Sequence, residues 1–317
     1  MYETNVGLYG HKSCVMVSRY LGNGIVATGG LDKVMNVWNI ENGNLIKTFT
    51  GHKDCITGIC SLSGSLVVTS SDDKSLILWD IHGVSGIRCY DEHTASVTCI
   101  FTCMIKGPVS KSLGNTHNMF VSGSSDKCIK FWNDKKGKSL FTLNKSNAPI
   151  RSLYVKDDDE NPLLISGSNS NELLIWSLKT LDLLRKFSSH QDPITGIAKF
   201  SKDIYVTTSM DKTICLWKSN FEDEPERIRE NGGFINSLAV MGRYILISTA
   251  FSMIEVWDGI KKQKVDTINL MNQIILGVYP LDSFRVAVNI GNHIRIFSVL
   301  DPKVITLSYL ETLPLDI

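Results

Sequence analysis

The chain has 317 residues, 43% hydrophobic and 21% charged, with 33 basic against 32 acidic side chains and a formal net charge of +1. A length of this size buries a large core, as two ordinary domains or one big β domain, and excludes a small disulfide-stapled scaffold. The balanced charge argues against bulk nucleic-acid or membrane-surface binding, both of which need a dominant basic face to meet phosphates, while leaving local patches open.

From the start of the chain, MYETNVGLYGH lacks both the basic start and the apolar run of a secretory signal, so the expected address is cytosol or nucleus, where disulfides are not expected. Short β-like runs separated by turn signals follow, as in CITGICSL, SLVVTSSDD, KSLILWDI and GIRCYDEH. The eight cysteines (Cys14, Cys55, Cys60, Cys89, Cys99, Cys103, Cys128, Cys215) show no C-x-x-C pair, and most alternate with apolar residues in strand-like runs, so they read as core thiols. Further on, the charge-free stretch from Thr267 to Leu281 is too short and too polar to span a membrane.

The chain repeats itself. Trp38, Trp79, Trp132, Trp176, Trp217 and Trp257, with Phe297 in the seventh place, follow at steps of 41, 53, 44, 41, 40 and 40 residues. Six residues before four of these tryptophans stand Asp32, Asp73, Asp126 and Asp211, and before each Asp stands a His: His11, His52, His93 and His190. The His-to-Asp gaps are 21, 21, 33 and 21, and the longer third gap holds a Lys-, Gly- and Ser-rich segment around Lys106 to His117 that reads as a loop.

Units of this size with GH near the start and WD near the end resemble WD40 repeats; GHKDCITGICSLSGSLVVTSSDDKSLILWD, from Gly51 to Asp80, carries every element of the pattern. The resemblance covers nearly the whole chain. It implies an all-β fold, a seven-bladed β-propeller of four-stranded antiparallel blades, in one domain over 1–317 with repeats near 10–50, 51–91, 92–144, 145–188, 189–231, 232–270 and 271–311. It also implies a role for the recurring polar residues. In the family the Asp accepts a hydrogen bond from the His, and the His bonds a hydroxyl on the second strand that bonds the Trp. Here those hydroxyls are Thr28, Thr69, Ser122 and Thr207. Recurrence at one spacing favours scaffolding over catalysis. The fourth, sixth and seventh units depart, with Ser170, Phe251 and Gly291 near the Asp place, and are expected to be looser and to rely on apolar packing. Ring closure is expected from the segment Asn5 to Tyr9, with KVITLSY from Lys303 to Tyr309 as the competing strand.

The resemblance also orients the loops. The GH loops and the Asp turns share a top face, whose candidate partner-binding residues are Lys12, Leu31, Lys53, Asp54, Asp72, Asp192, Met210 and Phe234, beside lesser candidates such as Asn272. The second residue of each innermost strand is expected at the channel mouth: Met16, Thr57, Thr98, Arg151, Thr195, Asn236 and Ile275. Phosphate recognition wants several converging arginines, and only Arg151 is present. The opposite face carries Asp157-Asp158-Asp159-Glu160, Glu222-Asp223-Glu224 with Glu226, and Lys135-Lys136 with Lys138; these runs read as solvated turns, and the first lacks calcium-loop spacing.

No phosphate loop, dinucleotide fingerprint, H-E-x-x-H or G-x-S-x-G elbow occurs, and His82, His117 and His293 read as turn or surface residues, so no catalytic residue, metal or cofactor is expected. The expectation is a non-enzymatic scaffold that binds other proteins in a multiprotein complex, with no direct DNA or membrane contact and RNA reached through the complex. Two alternatives are a subunit of an RNA-processing or ribosome-associated complex, and a ubiquitin-ligase-associated substrate-recognition module. The latter is hinted at by hairpins such as SLSGSL but weakened because neither Trp79-Asp80 nor Trp257-Asp258 is followed at the second place by Arg.

Overall fold

A computed structural model describes residues 6–103, 118–157, 161–229, 232–250, 252–270 and 273–298. Asn5, residues 106–117 with His117, Asp158, Asp159, Glu160, Phe251, Asn272 and the run 303–309 lie outside them. The described residues form 28 strands in seven four-stranded antiparallel sheets and no helix, hence none able to cross a membrane.

Six of the seven sheets are meanders of consecutive strands, joined by local turns. In the first blade Val15–Gly22 turns into Ile25–Gly30 through Asn23 and Gly24, both left-handed at φ 51° and 72°, the conformation a two-residue hairpin demands. The third strand, Val34–Asn39, and the outer strand, Leu45–Thr50, complete the blade. Second and third strands are buried on both faces, as in Met119–Ser124, so they read as unbroken apolar and small residues. Outer strands expose most of their residues. The core lies between neighbouring blades: Val68, Leu76 and Leu78 of the second pack against Val97, Phe120 and Trp132 of the third.

The first strands of successive blades lie side by side around a central channel: Val15–Gly22, Ile56–Ser61, Val97–Thr102, Ile150–Lys156, Ile194–Lys199, Ile235–Met241 and Ile275–Pro280. The circle closes where Ile275–Pro280 meets Val15–Gly22. The N-terminal strand Gly7–Tyr9 supplies the outer strand of the seventh blade, pairing with His293–Ser298 at Gly7↔Arg295, Leu8↔Ile294 and Tyr9↔His293. Leu8 is fully buried among Ile294, Ile296 and Trp38, so this clasp is packed as well as hydrogen-bonded and covers the edge that His293–Ser298 would otherwise present.

All seven innermost strands carry a β-bulge after their first residue, at Met16, Thr57, Thr98, Arg151, Thr195, Asn236 and Leu276. A bulge re-aims one side chain without breaking the ladder, here at the channel mouth. The seventh blade corrects the expected register by one residue. Ile275 is buried and Leu276 takes the mouth position, while Gly291, not Ile290, holds the place before the turn, its N–H bonding Ile274 O at 3.3 Å. The cause is a turn of two residues, Gly291 and Asn292, where the first blade has three between Gly30 and Val34.

Candidate functional site

Four blades share one polar chain that ties the third strand to the top loops. Trp38, Trp79, Trp132 and Trp217 each donate Nε1–H to the hydroxyl of Thr28, Thr69, Ser122 or Thr207 at 2.8, 2.8, 2.8 and 2.9 Å. Those hydroxyls stand 2.7, 2.7, 2.8 and 2.8 Å from Nε2 of His11, His52, His93 and His190. On the other side of each ring, Nδ1 meets Oδ2 of Asp32, Asp73, Asp126 or Asp211 at 2.8, 2.8, 2.7 and 3.0 Å. Protonated at Nδ1, each ring donates to its Asp oxygen, while the hydroxyl at Nε2 accepts the indole N–H on its other side. The same Asp oxygen accepts the backbone N–H after the histidine, at Lys12, Lys53, Thr94 and Gln191, and so fixes the top loop to the turn. Burial pushes the Asp73, Asp126 and Asp211 carboxyls up, but the histidines and backbone N–H groups, joined by the Ser75 and Thr213 hydroxyls at Asp73 and Asp211, hold all three well below the ordinary carboxylate range.

A second recurring residue was not singled out from sequence. Ser71, Ser124 and Ser209, two places before the Asp, each accept the Asp N–H and donate to a carbonyl of the top loop, at Asp54, Ala95 and Asp192. In the first blade this place is Gly30, where a Cβ would lie 2.0 Å from Cys14 O, so the loop approaches too closely for any side chain. The residue after each Asp is Lys33, Lys74, Lys127 or Lys212, and all four lysines are left-handed at φ 68° to 73°.

Two of the three departing blades, the fourth and the sixth, rely on more than apolar packing. In the fourth, Trp176 keeps its hydroxyl acceptor, Ser166 at 2.9 Å. In the sixth, Ile247 stands ten residues before Trp257, and the indole donates instead to Glu255 Oε2 at 2.9 Å. That carboxylate is gripped by Arg229 from the outer strand of the fifth blade, at 2.9 Å through Nε and 3.1 Å through Nη2, with both side chains buried. Arg229 also donates to the carbonyls of Lys212 and Gly233, so the pair clasps two blades. In the seventh, Phe297 and Ala287 delete donor and acceptor together, and both positions are filled by apolar packing.

With these groups engaged in the scaffold, the top face is made of what remains. Lys12, Lys53, Asp54, Arg151 and Asp192 are exposed; Asp72 and Met210 are half-buried. Leu31 and Phe234 are exposed, and the Lys212 ammonium sits 5.6 Å from the Phe234 ring. Burial pushes the Asp72 carboxyl up against a hydrogen bond from Ser96. Not all bulge residues are free: Thr57 and Thr98 donate to Val97 O and Ile150 O of the next blade, both at 2.5 Å, and Thr195 bonds Thr208. Arg151 has no hydrogen-bond or ion-pair partner among the described residues. Ile274, exposed beside the buried Ile275, was missed because the seventh blade was read one residue out of register.

On the opposite face the acidic run is largely paired: Asp223 with Lys218 at 2.7 Å, Glu226 with Lys262 at 2.5 Å, Glu224 with the Ser189 hydroxyl. Lys135, Lys136 and Lys138 stay exposed. Cys55, Cys60, Cys103 and Cys215 are buried, and burial pushes the Cys55 and Cys60 thiols up to about 12. Cys89 departs from the expected core placement and is exposed on an outer strand.

Seven four-stranded sheets around a channel, four of them stitched by a His-Asp-hydroxyl-Trp chain, define a β-propeller. Residues 43–80, 85–133 and 181–218 match the family model described as WD domain, G-beta repeat, and these segments carry the second, third and fifth of the tryptophans. The chain belongs to the WD40-repeat proteins, whose fold serves generally as a protein-interaction scaffold. It is 32% identical over 102 residues to Lissencephaly-1 homolog 1 of Paramecium tetraurelia, covering 32% of this chain and 25% of the relative. It is 20% identical over 100 residues to Pre-mRNA-processing factor 17 of Homo sapiens, covering 31% and 17%. To the Ribosome biogenesis protein WDR12 homolog of Nematostella vectensis it is 24% identical over 127 residues, covering 38% and 30%. The matches span less than a third of each relative's length.

Proposed function

We propose that the protein is a non-enzymatic interaction scaffold that seats peptide segments or partner subunits on the top face of its propeller. One observation carries the reading: the recurring His, Asp and hydroxyl groups, the side chains best suited to chemistry, are hydrogen-bonded inside the blades, whereas Lys12, Lys53 and Arg151 reach solvent from loops fixed to that scaffold. We place this activity in the cytosol or nucleus, with other proteins as partners, RNA reached through the complex, and no direct contact with DNA or membrane. The test is affinity capture from lysate of the source organism, comparing the wild type with an Asp72→Lys, Arg151→Glu variant. Loss of a defined set of proteins, with the ring still folded, supports top-face seating. Retention of every partner counts against it.

A second reading, a subunit of an RNA-processing or ribosome-associated complex, draws on the names of the splicing and ribosome-biogenesis relatives and on the exposed lysines at 135, 136 and 138. It would show as RNA in the captured material with steep salt dependence.

A further inference from the structure

Granting that partners seat on the top face, that face is itself two-sided. Among the described residues, its large exposed apolar side chains all fall on three consecutive blades: Phe234 (51% exposed) on the sixth, Ile274 (71%) and Tyr9 (64%) on the seventh, and Leu31 (47%) on the first. Tyr9 lies stacked on His293, ring centroids 5.4 Å apart at 17°, and presents a broad flat surface. Met16 and Leu276 carry the strip inward to the channel mouth, each half-buried on its bulge. The strip is continuous across the ring closure, because Val15 N–H bonds Gly291 O at 2.8 Å beside Met16. At Gly291 the turn is short and carries no side chain, and a Cβ there would meet nothing within 4 Å, so the strip has a low point over the seventh blade.

Across the mouth, three blades away from both the seventh and the first, stands Arg151 of the fourth. It is the only charged residue among the seven bulge positions, it is exposed, and no described residue pairs with it. Three of the other six bulge side chains are turned into the ring by their hydroxyl bonds. A guanidinium with five donors and no acceptor, facing an apolar strip, is complementary to a ligand with a carboxylate at one end and apolar bulk at the other. We infer that the top face takes an extended peptide laid across the channel mouth, with bulky apolar side chains on the sixth, seventh and first blades and an Asp or Glu carboxylate on Arg151. An extended strand advances about 3.3 Å per residue, so the acidic and apolar positions are separated by a few residues. The exposed lysines Lys12, Lys53, Lys74 and Lys127 could meet an RNA backbone, but the apolar strip offers phosphates no partner, which favours the peptide.

The test sorts a surface-displayed library of short random peptides against labelled wild type, Arg151→Glu, and an Ile274→Ser, Leu276→Ser variant, each checked for folding by circular dichroism. Wild type is expected to enrich peptides that pair an acidic residue with aromatic or branched apolar residues at a fixed spacing. Arg151→Glu is expected to bind those peptides about tenfold or more weakly, as loss of a charged hydrogen bond requires, and to select Lys or Arg at the former acidic position. The double serine variant is expected to lose the apolar preference and keep the acidic one. Absence of enrichment, enrichment without an acidic residue, or equal binding of acidic peptides by Arg151→Glu overturns the inference, as does an oligouridine strand outcompeting every peptide. If the selected peptides ignore Arg151→Glu but are lost with Asp72→Lys or Phe234→Ser, top-face seating stands and only this ligand chemistry fails; indifference to all of these substitutions removes both.

Discussion

Replacing Asp73 by alanine tests whether the polar chain holds a blade together. Its carboxylate accepts four hydrogen bonds: from His52 Nδ1 and Lys53 N at 2.8 Å each, from Ser75 N at 2.9 Å and from Ser75 Oγ at 2.6 Å. The Lys53 and Ser75 groups lie at the rim, where water can replace the lost oxygen. The His52 side chain is fully buried, so its Nδ1–H is left with only the long contact to Ser75 Oγ at 3.4 Å, and a buried, poorly satisfied donor facing a former charge costs about 1–3 kcal/mol. Adding the weakened anchoring of the top loop, the expected loss is about 3 kcal/mol. For a 317-residue ring the entropy of unfolding is roughly 0.7 kcal/mol/K, which makes this a fall of about 4–5 °C in Tm. Urea unfolding followed by tryptophan fluorescence reads the same quantity at constant slope. Ser170→Ala is the internal control, because Ser170 occupies the equivalent place in the fourth blade and, among the described residues, its hydroxyl bonds only Ser168 Oγ at 3.0 Å; it is expected within about 0.5 kcal/mol of wild type. If Asp73→Ala were no worse than Ser170→Ala, the structural reading of the chain would be refuted.

Acid should unfold the protein through the same carboxylates. Asp73, Asp126 and Asp211 are held below their ordinary range, so the unfolded chain takes up protons first, and the stability they contribute, complete above about pH 5, drains as pH falls; urea midpoints independent of pH between about 6 and 3 would contradict this. At the other end, burial works against a charged His190, but its bond to Asp211 holds the imidazole up at about 9, above the ordinary 6.5. That contribution is complete below the ordinary value and lost as pH rises towards 9, and Asp211→Asn should abolish the alkaline decline in urea midpoint. Arg229→Met strands the Glu255 carboxylate and is expected to cost about 3–5 kcal/mol, with Glu255→Gln in the same chain recovering part of it; strictly additive losses in the double-mutant cycle would deny the coupling. Leu8→Ala should cost about 2–4 kcal/mol, with amide exchange accelerated first in the seventh blade, and uniform acceleration around the ring would count against the N-terminal clasp.

The architecture was legible because seven tryptophan or phenylalanine positions stay in phase, and the four His-Asp-hydroxyl sets because polar groups that must pair inside a blade cannot drift in register. The indole acceptor was equally legible in retrospect, ten residues before each Trp: Ser166 keeps it, Ile247 and Ala287 lose it. What replaced it in the sixth blade was not, because Arg229 comes from the neighbouring blade and stands in a charged stretch that looks solvated. A turn shorter by one residue, at Gly291 and Asn292, displaced the seventh blade's expected face residues from Leu276 and Gly291 to Ile275 and Ile290. Nor could sequence show that Thr57 and Thr98 bond the adjacent blade, since those partners are set by ring geometry rather than spacing.

The most direct measurement is lysine cross-linking and mass spectrometry of the complexes captured on the full chain. The exposed top-face lysines Lys12, Lys53, Lys74 and Lys127 are set against the exposed lower-rim lysines Lys135, Lys136 and Lys138. Top-face seating predicts partner cross-links at the first group, lost together with the partner in the Asp72→Lys, Arg151→Glu variant. Cross-links confined to the lower rim and unaffected by that variant would contradict it.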